Sequence, residues 1–341
     1  MPFHRSVQAG RAEAPAAKDA AIFASRQETN DMTDTKKSGV AILGIFAVDV
    51  TFLAPRLPAI GETLAGSGFV MGPGGKGSNQ AVAAARAGGK VSFITKIGQD
   101  AFGDIGLKTW AEAGATARVQ RIDTHPTGSA FIFVNDANGQ NAIIVYAGAS
   151  GTLSPADLDL EQETIAAAKV FVTQLEQPID AALRGLQIAR AAGTITVFNP
   201  APATAFPDEV YRLSDYIAPN ETEAAMLTGI APGTVDDARK AGDALLAKGA
   251  KNALITLGSN GVLLHSATQS VHLPARAAGE VIDTTGAGDA FLGGFSAALS
   301  KGLDPVEAAR YGSATAGISV TRRGAAASMP TAAEIEAFLK S

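Results

Sequence analysis

The sequence lacks cysteine, and its four histidines are scattered along the chain. Without cysteine the protein has no disulfide, no thiolate nucleophile and no cysteine-based metal site. No two histidines have the spacing of metal ligands, so a zinc site is not expected. These absences argue against thiol and zinc chemistry.

An excess of positive charge is also missing, as are long hydrophobic runs. The net charge at pH 7 is −5, which gives no electrostatic basis for binding nucleic acid. No uninterrupted apolar run reaches the roughly 18 residues that a membrane-spanning helix needs. We therefore expect neither a nucleic-acid partner nor a membrane partner.

The first 38 residues differ in composition from the rest of the chain. They contain scattered charges and much alanine, and they lack the apolar core of a secretory signal. We expect residues 1–38 to form a disordered N-terminal tail, or to reflect an over-long start with Met32 as the natural first residue. Residues 39–341 then form one domain, and the missing signal predicts a cytoplasmic protein.

What the sequence does have is an alternation of short apolar runs with alanine-rich stretches of helical length. The apolar runs are typical of buried strands. Strands alternating with helices predict parallel β-α-β units, and hence an α/β fold with a central, mostly parallel β-sheet flanked by helices. The predicted strands are 40–46, 91–97, 169–173, 194–198, 216–218 and 253–257, and the predicted helices are 78–88, 102–114, 180–192 and 234–248.

One segment breaks this alternation. Two β-branched runs, 129–134 and 141–146, flank an Asn-Gly turn, which predicts a β-hairpin. The hairpin belongs to a predicted small β-sheet lid, built from about 49–70 and 119–147. We expect this lid to be an insertion in one domain that covers a site at the carboxyl ends of the parallel strands.

The segment Asp283–Phe291 carries the strongest functional signal. Gly286, Ala287 and Gly288 form a turn that opens an apolar helix, and the unpaired N–H groups of such a helix start attract phosphate. Asp289 follows at once, where a carboxylate would repel phosphate unless it takes a proton from an attacking hydroxyl. The alternative is that Asp289 merely caps the helix after a glycine turn.

A second glycine-rich segment is Gly72–Gln80. It fits the G-x-G-x-x-G pattern of dinucleotide-binding folds, but it follows the predicted lid and not the first strand, which disfavours a nicotinamide dehydrogenase. It is not a Walker A loop, because glycine and not serine or threonine follows Lys76. Bare backbone beside Lys76 and Asn79 suits a polyhydroxylated ligand and an incoming phosphate. The alternative is a mobile loop with a solvated lysine.

Polar side chains follow several other predicted strands. Asp49 could accept two hydroxyl hydrogen bonds from a sugar, or it belongs to a turn or cap. Asn220 and Glu223 suit an outer-shell hold on hydrated Mg²⁺, or they cap a helix. The turn at 256–261 suits contact with a nucleotide, or it is simply a tight β-turn.

Taken together, these segments resemble the PfkB family of sugar kinases, and its ribokinase branch most of all. The resemblance covers about residues 39–340. Two signature regions carry it, Gly74–Ala81 and Asp283–Asp289, and having both in this order and at this separation is highly specific. Further motifs of the branch lie at 174–176, 199–203, 219–223 and 256–259.

The resemblance implies a ribokinase-like fold whose β lid pairs two subunits into a homodimer. It implies ATP-dependent transfer of the γ-phosphoryl group to the 5-hydroxyl of a sugar, D-ribose in the first place, with Mg²⁺ and K⁺ as cofactors. Asp289 would be the catalytic base, and the amides of Gly286, Ala287 and Gly288 would form the anion hole.

By the same resemblance, three groups of residues would bind the ligands. The sugar would be held by Asp49, Gly75, Lys76, Asn79, Glu176 and Asp289. ATP would contact Asn199, Thr256, Gly258, Ser259, Gly261 and Gly288. K⁺ would be bound by Asp283 and Thr285 together with the loop that carries Ser319, Arg322, Gly324 and Ser328.

The chain departs from the ribokinase pattern at one position. Members of that branch have asparagine two residues before the first sugar-binding aspartate, where this sequence has Ala47. A missing polar partner costs about 1–3 kcal/mol if the ligand's group stays unpaired. This leaves 2-deoxyribose, a fructose-like ketose or a nucleoside such as adenosine open as the acceptor. A catalytically idle sugar-binding sensor is the remaining alternative.

Overall fold

The structure is a computed structural model that describes residues 37–341. Its strands are β1 Val40–Leu43, β2 Ala47–Ala54, β3 Gly68–Gly74, β4 Val91–Gly98, β5 Thr116–Ile122, β6 Thr127–Asn135, β7 Asn141–Gly148, β8 Val170–Thr173, β9 Ile195–Phe198, β10 Tyr216–Ile217, β11 Asn252–Thr256, β12 Val262–Ser266 and β13 Ser270–Leu273. Its helices are α1 Lys76–Arg86, α2 Ala101–Ala113, α3 Pro155–Leu160, α4 Gln162–Ala167, α5 Ile179–Ala192, α6 Glu209–Leu213, α7 Glu221–Thr228, α8 Val235–Ala247, α9 Ala287–Ser300, α10 Pro305–Ser319 and α11 Ala332–Lys340.

Nine strands form one large sheet in the order β13-β12-β11-β10-β9-β8-β1-β4-β5. All neighbouring pairs from β11 to β5 are parallel, and β12 alone runs against the rest. The predicted α/β class with a mostly parallel sheet is therefore confirmed. The strand order reverses around β1, and ligands of such sheets bind outside the carboxyl ends of the strands at that reversal.

The central strands form because their side chains are apolar on both faces. All four residues of β1 and of β8 are buried, as expected for parallel strands covered by helices on both sides. Strand β1 ends at Leu43, earlier than the predicted 40–46, and Gly44 then contacts the start of α1. A Cβ at Gly44 would lie 2.6 Å from the Cα of Gly77, so glycine permits this close approach.

Helices α1 and α9 pack closely on each other beside β1 and β8. A side chain at Gly293 of α9 would collide with Ala83 of α1, so this glycine permits the close approach. Alanines 81, 83 and 84 of α1 and Phe295 of α9 are fully buried around the contact. The same packing brings the first turns of both helices to one place, where the two glycine-rich segments meet.

A second sheet of four strands has the order β3-β2-β6-β7. The antiparallel pair β6 and β7 is the hairpin predicted from the Asn-Gly turn. Strand β3 runs to Gly74, so Gly72–Gly74 is strand and not loop. Strand β5 pairs with β4 in the large sheet, so residues 119–122 do not contribute to the small sheet although the predicted lid included them.

The predicted tail, with its alternative start at Met32, lies outside the described residues except for Lys37 and Ser38. The N–H of Ser38 donates to the carbonyl of Ala167 at 3.2 Å, and residues 37–341 form one compact unit. Within this range no helix combines the length and the apolar character needed to cross a membrane. The cytoplasmic location stays a prediction.

Candidate active site

Asp289 is the third residue of α9, and it is only 7% exposed. The cap of this helix is Gly286, whose φ of 74° and whose closeness to Ala325 both require glycine. The carboxylate of Asp289 does not cap the helix. It accepts hydrogen bonds from the side-chain amides of Asn79 and Gln80, each at 3.1 Å. The alternative that Asp289 serves as a helix cap is therefore wrong.

The first turn of α9 presents unpaired N–H groups. Those of Gly286, Gly288 and Asp289 donate to no group among residues 37–341, whereas the N–H of Ala287 donates to the carbonyl of Thr284 at 3.1 Å. The predicted anion hole of Gly286, Ala287 and Gly288 is thus brought together in space, but the Ala287 amide is already engaged. Free N–H groups at a helix start remain a site for an anion.

Helix α1 supplies the groups that face Asp289. It starts after Gly75, whose φ is 89° and where a Cβ would lie 2.7 Å from the carbonyl oxygen of Ile45. The N–H of Lys76 donates to Glu176 at 2.7 Å. Asn79 points its amide nitrogen at Asp289, and its buried Oδ1 has no partner among the described residues. The amide of Asn79 is therefore held at its nitrogen only.

Three carboxylates lie close together around Lys76. Burial raises the pKa of Asp49 to about 6. Burial, assisted by the negative charges of Asp289 and Asp49 and opposed by Lys76, raises the pKa of Glu176 to about 7. Burial also raises the pKa of Asp289, although Lys76 and the two amide hydrogen bonds oppose it. Buried carboxylates with raised pKa values are typical of functional sites.

Of these groups, Asp289 and Lys76 line a cavity of about 170 Å³, whereas Asp49 and Glu176 lie outside its wall. Its wall includes Lys76, Asp289, Gly286–Gly288, Thr256 and the pair Asn220 and Glu223. A depression of about 390 Å³ lies beside it, lined by Ser259, His272 and Thr234, but none of the three clustered carboxylates reaches it. The chemistry is therefore expected in the smaller cavity.

Of the predicted nucleotide contacts, Asn199, Thr256 and Gly288 line this cavity, and Ser259 lines the depression. Both ends of the Asn199 amide are engaged, because it donates to the carbonyl of Ala218 at 2.9 Å and accepts from Gln80 at 3.3 Å. Gly258, Ser259 and Asn260 form a short 3₁₀ turn that ends at Gly261. Contact of Asn199, Thr256, Gly258, Ser259, Gly261 and Gly288 with ATP stays a prediction.

Asn220 and Glu223 form a reciprocal cap at the start of α7. The side chain of Asn220 accepts the N–H of Glu223, and the side chain of Glu223 accepts the N–H of Asn220, both at 2.8 Å. The alternative that Asn220 and Glu223 cap a helix is thus observed. Both residues nevertheless line the cavity, and burial raises the pKa of Glu223.

The predicted K⁺ ligands lie behind the first turn of α9. Asp283 accepts the N–H of Thr285 at 2.9 Å and that of Gly324 at 2.8 Å, which joins the two loops. Burial acts to raise the pKa of Asp283, but these hydrogen bonds and Arg323 hold it below its usual value. The hydroxyls of Ser319 and Ser328 donate to backbone carbonyls, and the Arg322 guanidinium pairs with Glu334.

Comparison with known proteins decides the family. The model of the pfkB family carbohydrate kinases matches residues 37–332. The chain belongs to the PfkB family of carbohydrate kinases. The predicted family is confirmed, and the predicted enzyme class, phosphoryl transfer to a sugar, is that of the PfkB family.

Individual PfkB relatives match this chain over nearly their whole length. A ribokinase of Haemophilus influenzae is 39% identical, over 88% of this chain and 98% of its own. A deoxyribokinase of Salmonella typhi is 36% identical over the same shares. The structure of Arabidopsis thaliana ribokinase complexed with ribose and ATP superposes with a TM-score of 0.86 at 29% identity, covering 89% of this chain and 99% of the other.

Two residues of this PfkB kinase that contact the site were missed by sequence reasoning. Gln80 donates to Asp289, and Gln174 in turn donates to Gln80 at 2.6 Å. The spacing carried a usable signal for the first, because positions 76, 79 and 80 share one face of a helix. Gln174 begins the motif at 174–176, but its contact with Gln80 depends on how the chain after β8 approaches α1, which no local pattern reports.

Proposed function

We propose that the protein is an ATP-dependent kinase that transfers the γ-phosphoryl group to the 5-hydroxyl of D-ribose. The observation that carries the proposal is the buried Asp289, held by two amides at a helix start with free N–H groups and facing Lys76. Relatives that are ribokinases, and one whose structure contains ribose and ATP, support the choice of substrates.

The sugar binds between α1 and the small sheet. The carboxylates of Asp49 and Glu176 accept hydroxyl hydrogen bonds, and the unpaired Oδ1 of Asn79 accepts another. Gly74 must be glycine because a Cβ there would collide with the carboxylate of Asp49. Gly75 and Lys76 complete the predicted contacts, and the acceptors together orient the primary hydroxyl toward Asp289.

Phosphoryl transfer then uses groups already in place. The hydroxyl oxygen forms the new bond to the γ-phosphorus, the bond from that phosphorus to the bridging oxygen breaks, and ADP leaves with the bridging oxygen. Asp289 receives the hydroxyl proton. The N–H groups of Gly286 and Gly288 and the ammonium of Lys76 meet the negative charge that develops on the phosphoryl oxygens.

The residues fit the two cations implied by the family. Glu223 presents a buried carboxylate to the cavity beside Asn220, which suits a hydrated Mg²⁺ that neutralises phosphate charge. Asp283 stays ionised, and the loop at Gly324–Ser328 packs against Gly286, which suits K⁺ held by this carboxylate and backbone oxygens. The side chain of Arg322 cannot be a cation ligand, so only its carbonyl would take part.

A second substrate, 2-deoxyribose, is favoured by one observation. Ala47 is buried, two residues before Asp49 on the same face of β2, and its methyl group offers no hydrogen bond to a sugar. A buried hydroxyl facing this methyl would stay unpaired, whereas a deoxy sugar would lose nothing. A relative that is a deoxyribokinase adds weight to this alternative.

We infer that the small sheet is a lid and that its outer face binds a second copy of the chain. Asp49 lies on one face of this sheet, and the opposite face presents exposed apolar side chains. These are Phe52, Phe69, Met71, Phe131, Ile144 and Tyr146. A contiguous exposed apolar patch of this kind marks an interface, and a self-complementary one gives a homodimer.

The function is tested by ADP release from ATP with a panel of acceptors, namely D-ribose, 2-deoxyribose, D-fructose and adenosine, with and without K⁺. We expect ribose to give the highest kcat/KM, with phosphorus NMR locating the phosphate on the 5-oxygen. A higher kcat/KM for 2-deoxyribose would move the assignment to that sugar. ADP release no faster than the sugar-free blank with every acceptor would contradict the proposal and favour a binding protein.

A further inference from the structure

We infer that Gln80 is a positioning residue that orients the Asp289 carboxylate through a chain of buried amides anchored on the backbone. This inference rests on the proposed function, because it concerns the base of that reaction. Gln80 is fully buried, and its side-chain nitrogen lies 3.1 Å from Oδ1 of Asp289. Its oxygen lies 2.6 Å from the side-chain nitrogen of Gln174.

The direction of every hydrogen bond along this row of amide side chains is fixed by a backbone group. The carbonyl of Ala218 can only accept, so the nitrogen of Asn199 must face it, at 2.9 Å. The oxygen of Asn199 then faces Gln80 and accepts from its nitrogen at 3.3 Å. The nitrogen of Gln80 therefore points at two acceptors, and a flipped amide would place its oxygen against both of them.

Gln80 and Asn79 hold different oxygens of Asp289 and differ in their freedom. Asn79 donates to Oδ2, but its own buried oxygen has no partner among the described residues, so its amide is held at one end only. Both polar atoms of the Gln80 amide have further partners, Gln174 and Asn199. Gln80 is thus the hold on the base whose orientation the protein itself fixes.

A donor to an ionised carboxylate also favours its charged form, which is the form that can accept a proton. Burial alone would raise the pKa of Asp289, and the hydrogen bond from Gln80 acts against this rise. Asp289 is coupled to the neighbouring carboxylates Glu176 and Glu223 and to Lys76, so the acid limb of the kcat/KM profile belongs to the group as a whole, and loss of the donor should move it to higher pH than in wild type. A purely structural role would change stability without moving this limb.

The test compares Gln80→Met with wild type, because methionine has a similar length and no donor. We expect the acid limb to rise by about one pH unit, the effect of losing one hydrogen bond to a charged group. At pH 7 we expect kcat to fall on the order of 10-fold with the KM for ATP nearly unchanged. Gln80→Glu, which keeps an acceptor for Gln174 but adds a negative charge, should shift the limb in the same direction and further.

The matched control is Ser78→Ala on the same helix. Ser78 is also fully buried and accepts from the indole of Trp110 at 2.9 Å, but it does not contact Asp289. We expect this variant to lose stability and keep the wild-type acid limb. If wild type phosphorylates a sugar while both Gln80 variants retain its acid limb, the inference alone is overturned. If wild type phosphorylates no acceptor, the proposed function itself fails.

Discussion

Glu176 is a carboxylate that the folded chain buries beside two others. Its pKa is raised to about 7 from 4.5, chiefly by burial, so folding favours its protonated form. The stability from this group is therefore present at acid pH, and it is lost as the pH rises from 4.5 through about 7. The unliganded protein is expected to bear this cost in folding stability because the site needs a carboxylate to accept sugar hydroxyls.

Glu176→Gln should accordingly stabilise the ligand-free protein at alkaline pH. We expect a gain in the free energy of unfolding of at most roughly 3 kcal/mol at pH 8, shrinking as the pH falls toward 5, because glutamine is never charged. Sugar phosphorylation should fall in the same variant. Urea unfolding at both pH values measures the gain, and exposed Glu163→Gln is the control. Equal stability of wild type and Glu176→Gln at pH 8 would contradict this account.

The residues of the site divide into those the sequence could indicate and those it could not. Asp289, Lys76 and Asn79 lie beside glycine turns at helix starts. A glycine turn and a helix start can both be recognised from a few neighbouring residues. Gln80 lies one residue further along the same helix. Its spacing from Lys76 and Asn79 indicates the same helix face, but its contact with Asp289 depends on the approach of α9, which Gly293 allows and which no local pattern reports.

At the scale of the element, the start of α9 contains two glycines that differ in what they tolerate. Gly286 has a positive φ and contacts Ala325, so alanine would be strained there. Gly288 has ordinary helical backbone, and a Cβ built on it meets nothing within 4 Å. Its methyl group would project into open space at the cavity wall, where the phosphate is proposed to bind.

Gly288→Ala should therefore reduce activity without reducing stability. We expect the free energy of unfolding to stay level or rise by about 0.5–1 kcal/mol, because alanine is the better helix former, while kcat falls on the order of 100-fold. Gly286→Ala should lose both stability and activity. Thermal unfolding and initial rates measured on the same preparations distinguish the two. Full activity in Gly288→Ala would place the phosphate elsewhere.

The predicted strands of the large sheet agree with the structure because buried parallel strands are continuous apolar runs. β5 was not among them, since its sequence TARVQRI mixes charged and apolar residues at the sheet edge. No strand is predicted at Gly72–Gly74, whose composition is typical of a loop, but the pairing of β3 with β2 makes it strand. Edge strands and glycine-rich strands are specified by their partners more than by their own residues.

At the scale of the whole molecule, the exposed face of the small sheet predicts the assembly. Ile144→Glu on β7 introduces a charge at a side chain that is already 70% exposed in the single chain. We expect it to shift the protein from dimer to monomer in analytical ultracentrifugation, and to raise the KM for the sugar because the lid loses its support. Leu160→Glu on α3, at 75% exposure, is the control and should remain dimeric. A wild-type monomer at micromolar concentration would contradict the proposed interface.

The central claim is that Asp289 accepts the proton of the sugar hydroxyl while phosphate is transferred. The most direct measurement is the single-turnover rate of phosphoryl transfer from ATP to ribose by Asp289→Asn, with sugar and ATP affinity measured by calorimetry on the same variant. We predict affinities close to wild type and a transfer rate lower by about 100-fold or more, the contribution expected of a general base. A transfer rate near that of wild type would contradict the claim.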